Sequence, residues 1–177
     1  VPASPSPSAQ PPEPPVAGQH YENFPVASWV GPPHLRAPIA AIYSFARTAD
    51  DIADEGDASP SERLMRLAAY RADLSLAARG QAVSAQWPGV FEPLAAVMAQ
   101  YALPESLLAD LLSAFAQDIE KTRDASAYAS RAELLDYCAR SANPVGRLLL
   151  HLYGVHDADA LRRSDDICTA LQLINFW

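Results

Sequence analysis

The stretch APIAAIYSFARTADDIADEGD, from Ala37 to Asp57, decides the fold, because a long apolar run ends in five carboxylates. On a helix at 100° per residue, four polar side chains fall within about 60° of one another, namely Tyr43, Arg47, Asp50 and Asp54. Four apolar side chains share the opposite side of the helix, namely Ile42, Phe45, Ala49 and Ile52. The stretch therefore predicts one helix with a polar and an apolar stripe.

The acidic end of this helix favours a functional site. Carboxylates in the last helical turn oppose the helix dipole at roughly 0.3 to 1 kcal/mol each, so five of them are unfavourable for stability alone. Arg47 precedes Asp50 and Asp51 by about one turn, so its guanidinium can reach both carboxylates, or an anion that they hold through a metal. The alternative is a core helix that runs out into a solvated acidic segment.

Two kinds of metal site compete for these carboxylates. Magnesium takes few protein carboxylates, keeps several waters and binds phosphate oxygens, and acidic residues at i and i+4 on one helical face suit it. A calcium-binding EF-hand loop counted from Asp51 would place Glu55, Gly56 and Glu62 at positions 5, 6 and 12. However, Ala53 leaves position 3 without an oxygen ligand. Magnesium is therefore the predicted cofactor.

Length and composition predict one domain behind a leader. The chain has 177 residues, of which 50% are hydrophobic, enough to bury one sizeable core. Residues 1–18 contain seven of the 16 prolines and little that can pack, so they predict a disordered leader before a domain over 19–177.

Charge and hydropathy limit the classes of partner and location. The net charge of −8 argues against a nucleic-acid partner. No apolar run reaches the length of a membrane-spanning helix, and the N-terminus lacks the pattern of a signal peptide. Cys138 and Cys168 lie far apart in apolar helical patterns, which predicts buried reduced thiols. These features together predict a cytoplasmic location.

The pattern is helical almost throughout, so the predicted fold class is all-α. Predicted helices cover 20–30, a span starting between Pro33 and Pro38, 60–79, 90–101, 104–121, 130–153 and 158 onward. Pro144 should kink the helix over 130–153. The last helix keeps its apolar spacing up to Trp177, which predicts that C-terminal helices of the fold are missing.

Three segments resemble one family in the order in which they occur. They are FARTADDIAD at Phe45–Asp54, YCARSANPVG at Tyr137–Gly146 and QLIN at Gln172–Asn175. They resemble the squalene and phytoene synthases, which join isoprenoid chains head to head. The opening HYENFPVAS, from His20, is most similar to the bacterial hydroxysqualene synthase branch of hopanoid biosynthesis. The resemblance covers the chain from His20 to Trp177.

The resemblance implies a helical isoprenoid synthase bundle around an apolar cavity, with Mg²⁺ ions that clamp a diphosphate. In the family, the positions of Asp50, Asp51 and Asp54 hold the metal. The remaining implied site residues are Tyr43 and Arg47 at the diphosphate, His20 near it, Tyr137 at the reacting centre, and Gln172 with Asn175 at the start of a second metal site. Asp50, Asp54 and Tyr137 are thereby implied to be catalytic.

The implied reaction converts presqualene diphosphate to hydroxysqualene through diphosphate ionisation and water capture. A squalene or phytoene synthase acting on two prenyl diphosphates such as farnesyl diphosphate is one alternative, and a non-catalytic helical binding protein is another. The resemblance also implies partner enzymes of the same pathway and peripheral membrane contact for a lipid product.

Two departures from the family pattern lead to a further expectation. Tyr21, Glu22 and Asn23 follow His20 where the family commonly has small hydroxyl residues. In addition, the second acidic motif of the family follows the QLIN segment, and the sequence stops at Trp177 before any such aspartate. The expectation is that the 177-residue chain alone is inactive.

Overall fold

The structure is a computed structural model that describes residues 32–176, and this part of the chain contains seven helices and no strand. The helices are α1 (Pro33–Asp54), α2 (Pro60–Ala78), α3 (Phe91–Tyr101), α4 (Glu105–Arg123), α5 (Arg131–Ser141), α6 (Asn143–Leu152) and α7 (Ala158–Ile174). The all-α prediction is confirmed. The predicted leader, the predicted helix over 20–30 and His20 lie outside the described residues.

The predicted division of α1 into two stripes is confirmed. The helix begins at Pro33, with Pro38 inside it, and its buried residues include Ile42, Phe45, Ala49 and Ile52. The Tyr70 hydroxyl of α2 donates a hydrogen bond to the Phe45 carbonyl at 3.0 Å, and the two rings stack with centroids 5.1 Å apart. This aromatic core, which continues through Phe91, fixes the apolar face of α1 and leaves its polar face toward the remaining helices.

Helix α4 is covered on several sides, because it packs against α1, α2, α5 and α6. Its buried positions include Leu108, Leu111, Leu112 and Ile119, which recur at helical spacing. A helix covered on several sides can border more than one cleft. In this fold α4 forms part of the wall of two cavities that also border α1.

The prediction of one kinked helix over 130–153 is wrong. The structure has two helices, α5 and α6, which meet at Ala142. Pro144 stands in the first turn of α6, where its missing N–H costs nothing, since the first N–H groups of a helix have no partner within it. Asn143–Pro144 is therefore a helix start and not a kink.

Helix α7 packs against α5 and α6, but none of its residues is fully buried. Three apolar side chains on one of its faces are strongly exposed, namely Ile167 at 61%, Leu171 at 59% and Ile174 at 67%. Both cysteines are free, as predicted, although only Cys138 is buried and Cys168 is half-buried. Within residues 32–176 no helix has the length and apolar character needed to cross a membrane.

Candidate active site

The last turns of α1 bring three carboxylates together. Asp50, Asp51 and Asp54 each offer an oxygen, and these oxygens lie within 4.8 Å of one another. The i and i+4 spacing of Asp50 and Asp54 places them on one side of the helix, and Asp51 is the next residue round. Such a set of hard oxygen donors fits Mg²⁺, which is bound by one or two carboxylates together with waters and phosphate oxygens.

Arg47 lies at the centre of an ion-pair network with these carboxylates. One of its terminal nitrogens lies 3.1 Å from Asp50, and the other lies 2.9 Å from Asp51 and 2.7 Å from Glu55. The prediction that one guanidinium reaches both neighbouring aspartates is confirmed. A single positive charge here faces more than one negative charge, so the cluster keeps an excess of negative charge that a cation can neutralise.

Asp50 is the carboxylate of this group whose pKa is raised. Partial burial, followed by the nearby charge of Asp54, raises the pKa of Asp50 from 3.8 to about 6, although Arg47 acts in the opposite direction. A carboxylate that is desolvated beside another carboxylate is stabilised either by a proton or by a metal ion. This property also fits a cation site at the end of α1.

The EF-hand alternative is wrong. Asp51 to Asp54 are helical rather than part of a loop, and the Glu62 carboxylate accepts hydrogen bonds from the Ser59 backbone N–H and hydroxyl at 2.8 and 2.7 Å. Ser59 and Glu62 thereby form the predicted capping box of α2. Arg63 occupies the connection itself by donating to the Gly56 and Ala58 carbonyls at 2.6 and 3.0 Å.

Asp50 and Asp54 border a polar cleft of about 310 Å³ between α1, α2 and α4. Its polar lining residues are Asp50, Asp54, Arg63, Asp118 and Thr122. The remaining walls are apolar and come from Phe115 and Ile119 of α4, with Ala53 and Pro60. The cleft thus combines an acidic wall on α1 with a cation on α2.

An apolar cavity of about 190 Å³ lies nearer the start of α1, between α1, α4 and α6. Tyr43 lines it, two turns before Asp50, together with Ile42, Leu111 and Leu148. The predicted diphosphate residue Tyr43 therefore stands against apolar side chains. Along α1, the apolar cavity comes first and the polar cleft second.

Tyr137 is connected to the acidic cleft through a residue that the sequence did not indicate. Its hydroxyl donates to the Asp118 carboxylate at 2.6 Å, and Asp118 lines the cleft with Asp50 and Asp54. The Phe176 ring packs against the Tyr137 ring with centroids 6.0 Å apart. The end of the QLIN segment therefore lies beside Tyr137.

Gln172 and Asn175 are close to Phe176 in sequence but do not line the polar cleft. Gln172 is half-buried in the last turn of α7, whereas Asn175 follows the helix as its exposed C-cap. Within residues 32–176, neither of them belongs to the group of Asp50, Asp51 and Asp54 or to the lining of the cleft.

Asp118 and Arg63 are the two charged cleft residues that the sequence did not indicate. Asp118 interrupts the apolar spacing of α4, because it follows Leu111 by seven residues and precedes Ile119. A charged residue in such a stripe signals a buried polar contact. Arg63 carries no comparable signal, because an arginine in the first turns of an exposed helix is ordinary.

Comparison with known proteins identifies the family. The sequence model of the family described as squalene/phytoene synthase matches residues 17–177. The chain is 38% identical over 154 residues to a hydroxysqualene synthase from Sinorhizobium fredii, an alignment that covers 87% of this chain and 49% of that protein. It is also 38% identical over 164 residues to a hydroxysqualene synthase from Zymomonas mobilis, covering 89% and 50% of the two.

The chain spans about half the length of these curated relatives. The crystal structure of squalene synthase HpnC from Alicyclobacillus acidocaldarius superimposes with a TM-score of 0.72 at 37% identity. This match covers 88% of the present chain and 55% of HpnC. The likeness confirms the predicted helical isoprenoid synthase fold. The chain belongs to the squalene/phytoene synthase family.

Proposed function

We propose that the protein ionises presqualene diphosphate with the help of Mg²⁺ and adds one water to give hydroxysqualene. The observation that carries the proposal is the order of sites along α1, where an apolar cavity at Tyr43 is followed by an acidic cleft at Asp50 and Asp54. A prenyl diphosphate has the same division into an apolar chain and a charged head. Similarity to hydroxysqualene synthases supports this choice of reaction.

The diphosphate end is formed by α1. Asp50, Asp51 and Asp54 would hold Mg²⁺, which supplies Lewis-acid stabilisation to a leaving diphosphate. Arg47 neutralises part of the charge of these carboxylates and offers a planar cation to phosphate oxygens. The carboxylates therefore bind metal, and Arg47 orients the head group beside it.

The carbocation forms at the carbon that loses the diphosphate, and it must be protected from premature reaction with water. The apolar cavity lined by Tyr43, Ile42 and Leu148 would exclude water from the isoprenoid chain. Tyr137, which lies among other aromatic rings, would face the reacting centre. His20, Gln172 and Asn175 complete the proposal as contacts to the diphosphate and its second metal site.

Synthesis of squalene from two farnesyl diphosphates is the second candidate, because the similar crystal structure is that of a squalene synthase. The two reactions share the ionisation step and differ in the substrate and in the capture of the cation, which takes up water in the first reaction and a hydride from a reductant such as a reduced nicotinamide in the second. The residues on α1 serve both reactions equally. Product analysis therefore decides between them.

The test uses the full-length protein encoded by the gene, incubated with presqualene or farnesyl diphosphate and a reduced nicotinamide as hydride donor, with Mg²⁺ or with a chelator. We expect hydroxysqualene from presqualene diphosphate only when Mg²⁺ is present. Asp50→Asn and Asp54→Asn should each lower turnover by more than about a hundredfold while the helical circular dichroism is retained. Asp57→Asn is the matched control, because Asp57 is an exposed carboxylate just beyond the cluster.

Three results would count against the proposal. Squalene as the product would favour the second candidate. Undiminished turnover in both cluster variants would remove the metal assignment. Binding of Mg²⁺ and pyrophosphate without turnover of either substrate would indicate a binding protein.

A further inference from the structure

Asp118 is a half-buried carboxylate to which the family resemblance gave no role. It lies on α4 and lines the polar cleft opposite the α1 carboxylates. Its Oδ2 accepts a hydrogen bond from the Tyr137 hydroxyl at 2.6 Å, across the interface between α4 and α5. An O–H···O⁻ bond of this length is in the range of charge-assisted hydrogen bonds, which are about twice as strong as neutral ones.

The surroundings hold this pair in one geometry. Tyr137 is only 7% exposed, and its ring packs against Tyr128 at 5.5 Å and Phe176 at 6.0 Å between centroids. One turn beyond Tyr137, Arg140 of α5 donates to Ser113 at 2.7 Å and to Gln117, and so ties α5 to α4 on the side next to Asp118. The phenol therefore has little freedom to turn its hydroxyl elsewhere.

This hydrogen bond limits what the phenol can do for a substrate. A tyrosine hydroxyl has one proton to donate and lone pairs that accept. While the proton is directed to Asp118, only the lone pairs of the phenol oxygen remain for a second partner. The oxygen then presents partial negative charge, which suits a carbocation or the hydrogen of an incoming water.

We infer that Asp118 is a positioning residue, which holds the Tyr137 hydroxyl so that the phenol oxygen meets the substrate as a hydrogen-bond acceptor and not as a proton donor to the leaving diphosphate. The role of Asp118 in the reaction rests on the proposed function. The hydrogen bond itself does not, and it can be tested without turnover.

The first experiment measures the hydrogen bond in the full-length protein by near-ultraviolet tyrosine absorption. Asp118→Leu removes the acceptor and keeps the shape of the side chain, so we expect a tyrosine difference spectrum against wild type. The same substitution in a Tyr137→Phe background should give no such difference. The matched control is Glu120→Gln, an exposed carboxylate on the same helix, which should leave the tyrosine spectrum unchanged. An unchanged spectrum in Asp118→Leu would overturn the inference.

The second experiment measures turnover of presqualene diphosphate and separates kcat from KM. We expect Asp118→Leu to lower kcat by about tenfold or more with KM within about twofold, and Asp118→Asn, which retains a neutral acceptor, to fall between it and wild type. The double variant Asp118→Leu/Tyr137→Phe should be no slower than Tyr137→Phe alone, because both changes remove one unit.

A proton-donor role for Tyr137 predicts the opposite. Freeing the hydroxyl from Asp118 would then leave kcat unchanged or raise it, and this result would overturn the inference while the proposed function stands. Losses that add in the double variant would overturn it as well. Calorimetry of Mg²⁺ with inorganic pyrophosphate provides the independent check on the proposed function, because binding should require Asp50 and be retained in Asp118→Leu. Failure of wild type in both calorimetry and turnover would overturn the proposed function and the catalytic role of Asp118, whereas the spectral test stands separately.

Discussion

At the residue scale, the negative charge of Asp50, which would bind a cation, is unfavourable for the stability of the folded protein. Its pKa is raised to about 6 in the folded protein by burial and by Asp54, against 3.8 for an ordinary aspartate. Between these two pH values the folded state holds a proton that the unfolded chain has lost. The contribution of Asp50 to the free energy of unfolding of the metal-free protein should therefore fall as the pH rises through this window.

This pH dependence can be measured by denaturant unfolding in the presence of a chelator at intervals between about pH 4.5 and 7. This range covers the upper part of the window and the pH values just above it. Asp118 contributes in the same direction, because burial also raises its pKa. Asp50→Asn should reduce the fall in stability across the window, whereas the exposed neighbour change Asp57→Asn should leave it as in wild type. An identical pH dependence in Asp50→Asn would show that Asp50 titrates normally.

At the element scale, the contact between α6 and α7 depends on the absence of a side chain at Gly146. A Cβ added there would overlap the Ser164 hydroxyl and would lie 2.7 Å from the Cys168 sulfur. Alanine is favoured over glycine in a helix by about 1 kcal/mol, but overpacking costs about 1 to 3 kcal/mol. We therefore expect Gly146→Ala to lower the free energy of unfolding by about 1 kcal/mol.

The cause is tested by removing the opposing atoms. In a Ser164→Ala/Cys168→Ala background, Gly146→Ala should cost nothing or stabilise, because the helix propensity of alanine is then unopposed. Chemical denaturation of the four proteins gives the coupling energy. Equal effects of Gly146→Ala in both backgrounds would mean that helix packing at this glycine is not the reason.

Most element boundaries could be predicted because they depend on local chemistry. The Ser59–Glu62 capping box starts α2, and Ser130 with Glu133 starts α5, as their spacing indicated. The break at Ala142 was missed, since a proline inside a long helical pattern can either kink the helix or start a new one. Which of these occurs depends on the packing of α6 against α4 and α7. The local sequence gives no information about this packing.

The same distinction holds for the candidate site. Asp50, Asp51, Asp54 and Arg47 lie within two turns of one helix, so their proximity followed from helical periodicity. The contact of Asp118 with Tyr137 joins residues on two different helices, and no spacing within either helix indicates it. Local geometry predicts the carboxylate side of the cleft on α1, and only tertiary packing shows the opposite side.

At the scale of the whole molecule, α1 and α4 together organise the site. They border both the polar cleft and the apolar cavity, so a substrate bound across the two would contact the same pair of helices at its head and along its chain. The aromatic core around Phe45 and Tyr70 fixes α1 from the other side. Loss of this core would displace both cavities at once.

Helix α7 leads to the last prediction. Its exposed residues Ile167, Leu171 and Ile174 recur at i, i+4 and i+7 and so form one apolar stripe. Exposed apolar stripes of this kind favour association in water. We therefore expect the 177-residue chain to self-associate and to unfold with low cooperativity.

Sedimentation and thermal unfolding of the 177-residue chain test this expectation directly. Ile167→Lys/Leu171→Lys should shift the chain toward monomer without loss of helical circular dichroism, because both side chains are exposed and contribute little to the core. Ala158→Lys adds positive charge at the exposed first residue of α7, away from the stripe, and should leave self-association unchanged. If the wild-type chain were monomeric and unfolded in one sharp transition, then the α7 stripe would have no role in its association or in its stability.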